Sequence, residues 1–435
     1  MIAVWEDGVT DEAEDIPQSG TSLSAVSMGS NSVQLRHYNE RVVLDALRRE
    51  GEASKAQLAR IARLTPPAIS GIVDALVAGG FVEARGKRFG GKGQPSAMFG
   101  IKPDGAFSVG LHLGRRSLDG VLIGFDGKTL LFEQFEHDFP DPEEVRLKGN
   151  EILRTFRKYL GDKANKLIGI GISAPYFLGS WETELGTNPE TQGRWRDIDL
   201  TSHFAEARGL PLFVENDASA AAAAELVFGA GKYLKDFVHL SINTMIGGGL
   251  VMDGVLQTGP NGNAAAYGPM PVTPSRLHST PPSQGSFEIL LRRASIYVLM
   301  RHLAASGSKV VRVRELDPMP DDARHPFTEW QDDCIEALAQ AIVSTISVID
   351  VEAIVIDGLL PRKLMEETTA KVRVELARVV PTGVVAPEII DGTLGARASA
   401  IGAAILPLYM LFAPDSAILT RKGTGNKPLM VRSTG

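Results

Sequence analysis

Residues 212–229 read LFVENDASAAAAAELVFG. The apolar start predicts a short buried strand, and the Ala-rich run closed by Gly229 predicts a helix. Glu215, Asn216 and Asp217 therefore stand between the end of a strand and the start of a helix, where open α/β sheets bind their ligands. Backbone N–H groups and the helix dipole would hold the Asp217 carboxylate ionised at this place, ready to accept a hydroxyl proton. The alternative is that Asp217 only caps the helix.

The overall composition is that of a globular protein. The chain has 435 residues, 44% of them hydrophobic, which predicts two or three domains. Its longest apolar stretch, residues 400–413, is interrupted by Gly402 and Pro407 and is shorter than the ~20 residues that cross a bilayer. We therefore expect no membrane partner. The single cysteine, Cys334, excludes an intrachain disulfide and a Cys-rich zinc site, and predicts a cytoplasmic protein.

Charge is unevenly distributed along the chain. Residues 1–32 carry six acidic residues and no Lys or Arg, and their Ser- and Gly-rich composition predicts a disordered tail. Residues 33–102 carry 12 Lys and Arg against 6 Asp and Glu, although the whole chain has a net charge of −7. A basic segment in an acidic protein is typical of a nucleic-acid-binding surface.

The basic segment contains three helix patterns followed by a hairpin pattern. The first helix is predicted at residues 39–50, Ser54 caps the second, and Thr65 and two prolines open the third. The apolar faces consist of Val43, Ala46 and Leu47 in the first helix, Leu58 and Ile61 in the second, and Ile69, Ile72, Val73 and Leu76 in the third. With a basic hairpin behind them, these helices predict a winged helix-turn-helix that binds DNA. The alternative is a winged helix that binds another protein.

The third helix would be the recognition helix, but its exposed start offers no Arg, Asn or Gln for bidentate base contacts. Specificity is expected instead from apolar contacts to thymine methyl groups and from the wing in the minor groove. Phosphate contacts would supply the affinity. The predicted DNA-binding residues are Lys55, Arg63, Thr65, Pro67, Ala68 and Ser70 in the helices and Lys87, Arg88, Lys92 and Gln94 in the wing.

A turn at residues 102–105 predicts the boundary between the winged helix and the rest of the chain. Residues 107–136 then read as three strands joined by tight turns. A helix pattern at 143–160 and a buried strand pattern at 167–175 follow them. This alternation leads directly into the strand and helix at 212–229.

A second strand-rich unit begins at residues 237–242, passes through the Gly-rich stretch 243–249 and continues in a predicted strand at 250–256. Two units of this kind predict a duplicated α/β body with a cleft between two lobes. The small side chains of the Ala-rich helix predict that this helix is pressed closely against another element.

Six short motifs follow one another through the body of the chain. They are Gly-Ile-Ser-Ala-Pro at 171–175, Asn188-Pro189 with Trp195, Glu215-Asn216-Asp217-Ala218, Ile246-Gly247-Gly248-Gly249, Asp253-Gly254 and residues 392–404. In this order they resemble the ROK family (repressors, open reading frames, sugar kinases), and the winged helix resembles the family's repressor branch. The resemblance implies an actin-like sugar-kinase ATPase fold, a homodimer and a sugar in the interlobe cleft. It also implies that Asp217 would be the catalytic base and that Asn188 and Asn216 would hold sugar hydroxyls.

The chain departs from this family at the motifs that bind phosphate and zinc. Where family kinases have Asp-x-Gly-Gly-Thr, residues 112–117 read HLGRRS, so the carboxylate is missing and Arg115 replaces a Gly. Asn243 and Met245 replace glycines of the second phosphate loop, and residues 354–358 have Asp in place of a Gly. The degenerate phosphate loops retain Gly114, Thr244, Gly247, Gly248 and Gly249.

The family's Gly-Glu-x-Gly-His motif, which supplies a sugar-binding Glu and a zinc-binding His, reads AAYGP at residues 265–269. The zinc cysteines are missing as well. We therefore predict no cofactor, no metal site and no catalytic residue, unless the protein is active and Asp217 serves as the base.

The predicted function is a sugar-responsive regulator, acting as a repressor, that binds double-stranded operator DNA as a homodimer or higher oligomer and has lost kinase chemistry. The alternative is an active ATP-dependent sugar kinase fused to a DNA-binding domain. A further hypothesis is that Arg115 and Arg116 bind a phosphorylated sugar, although surface Arg pairs are usually only solvated. The predicted divisions are an acidic tail (1–32), the winged helix-turn-helix (33–102), an N-terminal lobe (103–230), a C-terminal lobe (231–413) and a flexible tail (414–435).

Overall fold

The computed structural model describes residues 32–88, 96–175, 193–195, 198–207, 209–283 and 285–414. The two predicted tails therefore lie outside the described residues, except for their inner ends at 32 and 414. The described helices are α1 (Ser32–Glu50), α2 (Lys55–Ala62), α3 (Pro66–Ala78), α4 (Pro142–Leu160), α5 (Leu200–His203), α6 (Asp217–Phe228), α7 (Ile296–Ala305), α8 (Asp321–Ile346), α9 (Arg362–Val379) and α10 (Ala398–Phe412).

The described strands fall into three larger sheets and one short pair. They are β1 (Glu52–Ser54), β2 (Val82–Arg88), β3 (Ser96–Ile101), β4 (Phe107–Leu113), β5 (Ser117–Gly124), β6 (Thr129–Glu136), β7 (Leu167–Ala174), β8 (Leu212–Asn216), β9 (Phe237–Ile242), β10 (Ile246–Met252), β11 (Val255–Gln257), β12 (Pro271–Val272), β13 (Glu288–Ile289), β14 (Ala353–Gly358) and β15 (Glu388–Asp391).

Helices α1 to α3 and strands β1 to β3 form the winged unit, which we define as the described residues between 32 and 101. Its strands pair in the order β1-β3-β2, all antiparallel. Ser54 caps α2 through a reciprocal bond with Gln57, as the sequence predicted for that helix start. Helix α1 begins at Ser32, earlier than the predicted 39–50, because no helix breaker lies between and Arg36 pairs with Glu40 at 3.1 Å.

The predicted apolar faces of α1 to α3 are buried, with one exception. Ile61, predicted to point inward, is 47% exposed. It lies in the last turn of the eight-residue helix α2, which ends where Arg63 takes a left-handed φ of 53°. Only Leu58 of that helix reaches the core of the winged unit.

Beyond the winged unit, the chain forms two lobes with the same strand order. The first sheet runs β6-β5-β4-β7-β8 and the second runs β11-β10-β9-β14-β15. In each sheet the first two pairings are antiparallel and the last two are parallel. The duplicated α/β body predicted from the sequence is therefore confirmed.

Two helices lie between the sheets, and each packs on the sheet of the other lobe. Helix α6 leaves the first sheet and packs on β9 and β10, whereas α10 returns from the second lobe to pack on β4, β5 and β7. The two helices also contact each other along the Ala-rich face of α6. A side chain at Gly402 would collide with the backbone of Ala220, and one at Gly110 with the backbone of Ala404. Small residues thus permit the close approach that the Ala-rich run predicted.

The second hairpin differs from its predicted form. The Gly triplet 247–249, predicted as part of a loop, lies in β10, which already begins at Ile246. The predicted strand at 250–256 is divided by a tight turn in which Asp253 and Gly254 have φ values of 53° and 71°. Apolar alternation could not locate this turn because Val251 and Leu256 face each other across it.

Helix α10 is long and apolar enough, within the segment Gly395–Phe412, to pass a composition test for a membrane span. In the structure, 56% of that segment is buried between α6 and the first sheet. Its apolar composition is accounted for by this position in the core. Helices α2 and α3 pass the same test only as one span bent by 112°, and they are the helix-turn-helix of the winged unit.

The winged unit shares its core with the body. Phe81 of the winged unit, Phe125 in the β5–β6 turn and Phe412 at the end of α10 form an aromatic cluster with ring centroids 5.0 to 5.4 Å apart. The guanidinium of Arg48 in α1 lies 5.3 Å from the centre of the Phe125 ring. The predicted boundary at residues 102–105 is therefore crossed by a continuous apolar core.

Candidate functional site

A cleft of about 1000 Å³ lies between the two lobes. Its walls include the β4–β5 turn, the start of α6, the β9–β10 hairpin and the start of α10. Six of the predicted sugar-binding and phosphate-loop residues line it, namely Asn216, Asp217, Gly114, Thr244, Gly247 and Gly248. Gly249 is not part of the lining, and Asn188 lies outside the described residues.

The cap of α6 is made by the residue before Asp217. Asn216 is the N-cap, and its side-chain oxygen accepts the N–H groups of Ala218 at 3.0 Å and Ser219 at 3.3 Å. Asp217 is the first residue of the helix, and its Oδ1 accepts the N–H of Ala218 at 2.9 Å. The capping role belongs to Asn216, so the Asp217 carboxylate faces the cleft with acceptor capacity to spare.

The most distinctive residue of the cleft is Arg115 in the β4–β5 turn. Although it is an arginine, only 6% of it is exposed, and it lines the cleft together with Asp217. Burial lowers the pKa of Arg115 to about 10, while the Asp217 carboxylate acts in the opposite direction. The guanidinium therefore stays protonated near neutral pH and places a buried positive charge beside the carboxylate.

Arg116 has a different environment. Its side chain is 61% exposed and donates to the backbone oxygen of Asp138 at 2.6 Å. Both arginines line the same cleft, Arg116 at its rim and Arg115 in its interior. Arg115 has the burial expected of a ligand-binding group, whereas Arg116 has the solvated setting typical of surface arginines.

The β4–β5 turn itself is closed by hydrogen bonds. The N–H of Gly114 donates to the Ser117 oxygen at 2.9 Å, and the ring of His137 bonds to the Gly114 oxygen at 3.1 Å. His112, at the position of the family's missing carboxylate, bonds through Nδ1 to the Ser173 hydroxyl at 3.1 Å. A phosphate bound at this turn would contact the imidazole of His112 and the guanidinium of Arg115, where family kinases have a carboxylate and a glycine.

The Gly triplet of β10 has a packing explanation. A Cβ at Gly247 would lie 2.7 Å from the Cβ of Ala218, and a Cβ at Gly249 would collide with Ala222. On the opposite face, a side chain at Gly248 would collide with the ring of Tyr267. The triplet allows β10 to lie directly against α6, so its presence does not by itself require a phosphate.

Residues 265–269 lie at the position of the family's sugar-binding motif but lack its Glu and His side chains. Ala265 has a left-handed φ of 57°, in the region that favours glycine, which is the family residue at this position. The neighbouring Tyr267 is buried and bonds to the Thr345 hydroxyl at 2.8 Å, and burial raises its pKa to about 12. Ala266 contributes only a methyl group to the lining, which leaves this side of the cleft open.

An ion-pair bridge joins the lobes at the cleft. Glu136, at the end of β6 in the first lobe, pairs with both Arg312 and Arg314 of the second lobe. All three residues line the cleft. The sequence could not predict this bridge, because 176 residues separate Glu136 from Arg312 and no local pattern connects them.

The predicted DNA-binding face is only partly described. Thr65, Pro67 and Ala68 are exposed at the start of α3, which lacks a side-chain cap from Thr65. Arg63 is exposed, as are Lys87 and Arg88 on β2. Lys92 and Gln94 lie outside the described residues.

Two predicted phosphate contacts are engaged within the winged unit. The Lys55 ammonium donates to the Ser70 hydroxyl at 2.9 Å and to Asp74 at 2.7 Å. This bond holds the pKa of Asp74 below its ordinary value. Lys55 and Ser70 would have to exchange these partners to contact a phosphate.

Comparison with known proteins places the chain in a family. The sequence model of the ROK family matches residues 108–409. The xylose repressor of Bacillus subtilis is 26% identical over 277 residues, which cover 63% of this chain and 70% of the repressor. The glucokinase of Thermotoga maritima is 29% identical over 268 residues, which cover 58% of this chain and 82% of the kinase.

The fold has a matching solved structure. A crystal structure of a ROK family transcriptional regulator, a homologue of the E. coli MLC protein, covers 88% of this chain and 98% of its own with a TM-score of 0.62 at 19% identity. That likeness shows a shared fold that includes the N-terminal part of the chain. Since the family match spans well over half of the residues, the protein belongs to the ROK family and has the two-lobed, actin-like architecture of its regulators and sugar kinases.

Proposed function

We propose that the protein is a sugar-responsive, DNA-binding transcriptional regulator that represses genes of carbohydrate metabolism in the cytoplasm. Relatives in the family include xylose repressors, which supports a repressor that responds to a sugar. The observation that carries the proposal is the course of α10. Arg397 and Ser399 at its start line the cleft, and Phe412 at its end packs against Phe81 of the winged unit.

The effector would bind in the interlobe cleft. Asn188, Asn216 and Asp217 would hold hydroxyl groups of a sugar or sugar derivative, because amides and a carboxylate supply the donors and acceptors that hydroxyls need. The Asn216 side-chain oxygen already accepts two backbone N–H groups, so its contribution would be the amide N–H donors. With Ala266 in place of a glutamate, the ligand can be larger than a simple hexose.

The charge of Arg115 bears on the class of effector. A buried guanidinium that lines the cleft favours a ligand carrying an acidic group, such as a sugar phosphate or sugar acid. It is paired electrostatically with Asp217, so a neutral sugar can also bind by bridging the two side chains. A thermal-shift comparison of matched sugars and sugar phosphates distinguishes these ligands, since a ligand at 100 times its dissociation constant stabilises the folded state by about 2.7 kcal/mol.

Kinase chemistry is proposed to be lost. Phosphoryl transfer depends on a metal-bound, closely cradled phosphate and a free general base. Here His112 replaces the family's carboxylate, Arg115 replaces a glycine and sets its charge beside Asp217, and the triplet of β10 packs on α6. General-base help from Asp217, worth ~10²–10⁴-fold, would not replace the missing phosphate loops.

The second candidate is an active ATP-dependent sugar kinase with a fused DNA-binding domain. It is favoured by the position of Asp217 at the cleft and by the likeness to glucokinases. Incubation of the full chain with ATP, Mg²⁺ and a panel of hexoses, pentoses and amino sugars separates the two. Sugar-dependent ADP release at rates typical of kinases, about 1–100 s⁻¹, would favour the second candidate.

DNA binding is proposed to involve two chains. One winged unit reads one half-site, so a palindromic operator requires a homodimer with half-sites one or two helical turns apart. Fluorescence anisotropy with the DNA upstream of the protein's own gene, in the presence and absence of the effector, tests the proposal directly. Binding that no sugar or sugar phosphate changes would contradict a sugar-responsive regulator.

A further inference from the structure

Three ionisable side chains, far apart in the sequence, meet in the interior of the second lobe. Glu225 lies in α6, His239 in β9 and Asp357 in β14, and their exposed fractions are 0%, 0% and 2%. One ligand atom from each, a ring nitrogen and two carboxylate oxygens, lies within 4.8 Å of the other two. No other cluster of this kind was found among the residues that the structure describes.

Both carboxylates are held in place by the backbone. Each carboxylate oxygen accepts one N–H, and Oε1 of Glu225 also accepts the Thr393 hydroxyl at 3.1 Å. Oε2 of Glu225 and both oxygens of Asp357 retain a second lone pair, which is the setting typical of metal-binding carboxylates. The donors are Ala230 at 3.0 Å and Thr393 at 2.5 Å for Glu225, and Gly358 at 2.9 Å and Gly395 at 2.7 Å for Asp357.

His239 supplies the second observation that points to a ligand. Its Nδ1 lies 3.2 Å from the Ser241 hydroxyl, whereas its Nε2 is buried and has no hydrogen-bond partner. When Nδ1–H donates to the hydroxyl oxygen, the lone pair of Nε2 is left to bind a cation. Without a cation, Nε2 would lack a hydrogen-bond partner and the two buried carboxylates would lack a counter-charge. Both conditions are energetically costly.

One member of the cluster borders a cavity. Asp357, together with Gly358 and Gly395, lines a second cavity of about 380 Å³. This cavity shares Arg314, Leu359 and Ala396 with the cleft, but neither Asn216 nor Asp217 lines it. Asp357 stands where the family pattern has a glycine. The carboxylate thus occupies a position that is usually without a side chain.

We propose that Glu225, His239 and Asp357 bind one divalent transition-metal cation, with Zn²⁺ as the reference ion. One imidazole and two carboxylates form a mixed nitrogen and oxygen donor set, which suits Zn²⁺ better than Mg²⁺ or Ca²⁺. The ion would tie α6, which begins with Asp217, to two strands of the second lobe. This site differs from the family's zinc site, whose cysteines and histidine the chain lacks.

The competing arrangement is a protonated His239 shared between the two carboxylates without a metal. Burial lowers the pKa of this imidazole and opposes protonation, while Glu225 and Asp357 act in the other direction. The two arrangements differ in metal content, which can be measured without any knowledge of the effector or the operator. The proposal is thus independent of the regulatory function.

The experiment uses the untagged full chain, stripped of metal by a chelator and titrated with Zn²⁺. We expect one Zn²⁺ per chain and a rise in Tm on Zn²⁺ addition. Asp357→Asn and His239→Gln should weaken Zn²⁺ binding at least tenfold, whereas Asp350→Asn, a change at an exposed carboxylate, should bind like the parent. Asp357→Asn keeps the side-chain size but removes one of the two oxygens that accept backbone N–H groups, whereas His239→Gln keeps a polar side chain without an imidazole.

A second measurement uses only the parent chain, so it tests the proposal even if the variants do not fold. Co²⁺ added to the metal-free parent chain should give visible absorption bands of a site with nitrogen and oxygen ligands, and Zn²⁺ should abolish them. A parent chain that binds no Zn²⁺ and gives no Co²⁺ bands would overturn the proposal. So would binding that Asp357→Asn and His239→Gln leave unchanged, since the ion would then be held elsewhere.

Discussion

The ring of Phe412 lies 5.4 Å from the ring of Phe81, so the last residue of α10 contacts the winged unit directly. At the other end of the same helix, the guanidinium of Arg397 lies 4.2 Å from the centre of the Phe132 ring, and both residues line the cleft. A 15-residue helix spans about 22 Å, so one continuous element connects the cleft with the winged unit. A small rotation of α10 upon cleft closure would therefore move the winged unit.

We expect Phe412→Ala to uncouple the effector from DNA. Loss of two ring pairs, each worth about 0.5–1.5 kcal/mol beyond the area that the ring buries, should lower the free energy of unfolding by at least about 1–3 kcal/mol. Operator binding should survive, but the change in operator affinity caused by the effector should fall severalfold. The matched control is Phe287→Ala, because Phe287 is 58% exposed. An unchanged effector response in a folded Phe412→Ala protein would exclude this route.

Asp217→Asn tests the effector site. The substitution retains side-chain size, and the cap of α6 is supplied by Asn216. Because it also removes the charge beside the buried Arg115 guanidinium, Tm is measured together with binding. Operator binding without effector should equal that of the parent, while the response to the effector should be lost. Such coupling is typically ~1–3 kcal/mol, or about 5–150-fold in affinity, so anisotropy titrations can resolve it. A mutant that responds like the parent would show that the effector binds elsewhere.

Lys87→Ala combined with Arg88→Ala tests the wing. Both side chains are exposed on β2, and each is expected to neutralise one phosphate. The double mutant should bind all DNA sequences more weakly, and the slope of log K against log salt should become shallower by about one unit per residue. Equal slopes for mutant and parent would remove the wing from the interface.

Glu136→Gln tests the bridge between the lobes. The three charged side chains are 40 to 62% exposed, so their loss should change the free energy of unfolding by less than about 1 kcal/mol. Effector affinity should nevertheless fall severalfold, because the substitution removes both ion pairs that join the two lobes at the cleft. Glu143→Gln is the control, since Glu143 pairs with Arg146 within α4. Effector affinity equal to that of the parent, at low and high salt, would contradict a role in closure.

Phosphoryl transfer from ATP to sugars should be absent, and Arg115→Gly alone should not restore it. The reversion removes the charge beside Asp217, but His112 and Met245 remain in the two phosphate loops. Because positioning and charge neutralisation dominate this chemistry, one corrected loop residue is insufficient. Coupled ADP assays on both proteins provide the measurement. Turnover in the parent chain would defeat the proposal of lost kinase chemistry.

Much of the fold could be predicted from local patterns. The three strands of residues 107–136, the helix at 143–160 and the helix start at Asp217 were each predicted close to their observed bounds. Apolar periodicity and turn residues depend only on near neighbours, which one sequence contains in full. Local patterns did not predict the exposure of Ile61, which depends on where α2 ends. They also did not predict the strand position of the Gly triplet, which depends on its close contact with α6.

The sequence by itself determined the winged unit, the duplicated body and the cleft that contains Asp217, because spacing and chain order encode these features. Only the tertiary structure decided which charges meet. Arg115 and Asp217 line one cleft, Glu136 joins Arg312, and Glu225 meets His239 and Asp357 across three separate elements. Electrostatic partners are set by distances in space, which depend on how two sheets and two exchanged helices pack, and no local pattern of residues contains that information.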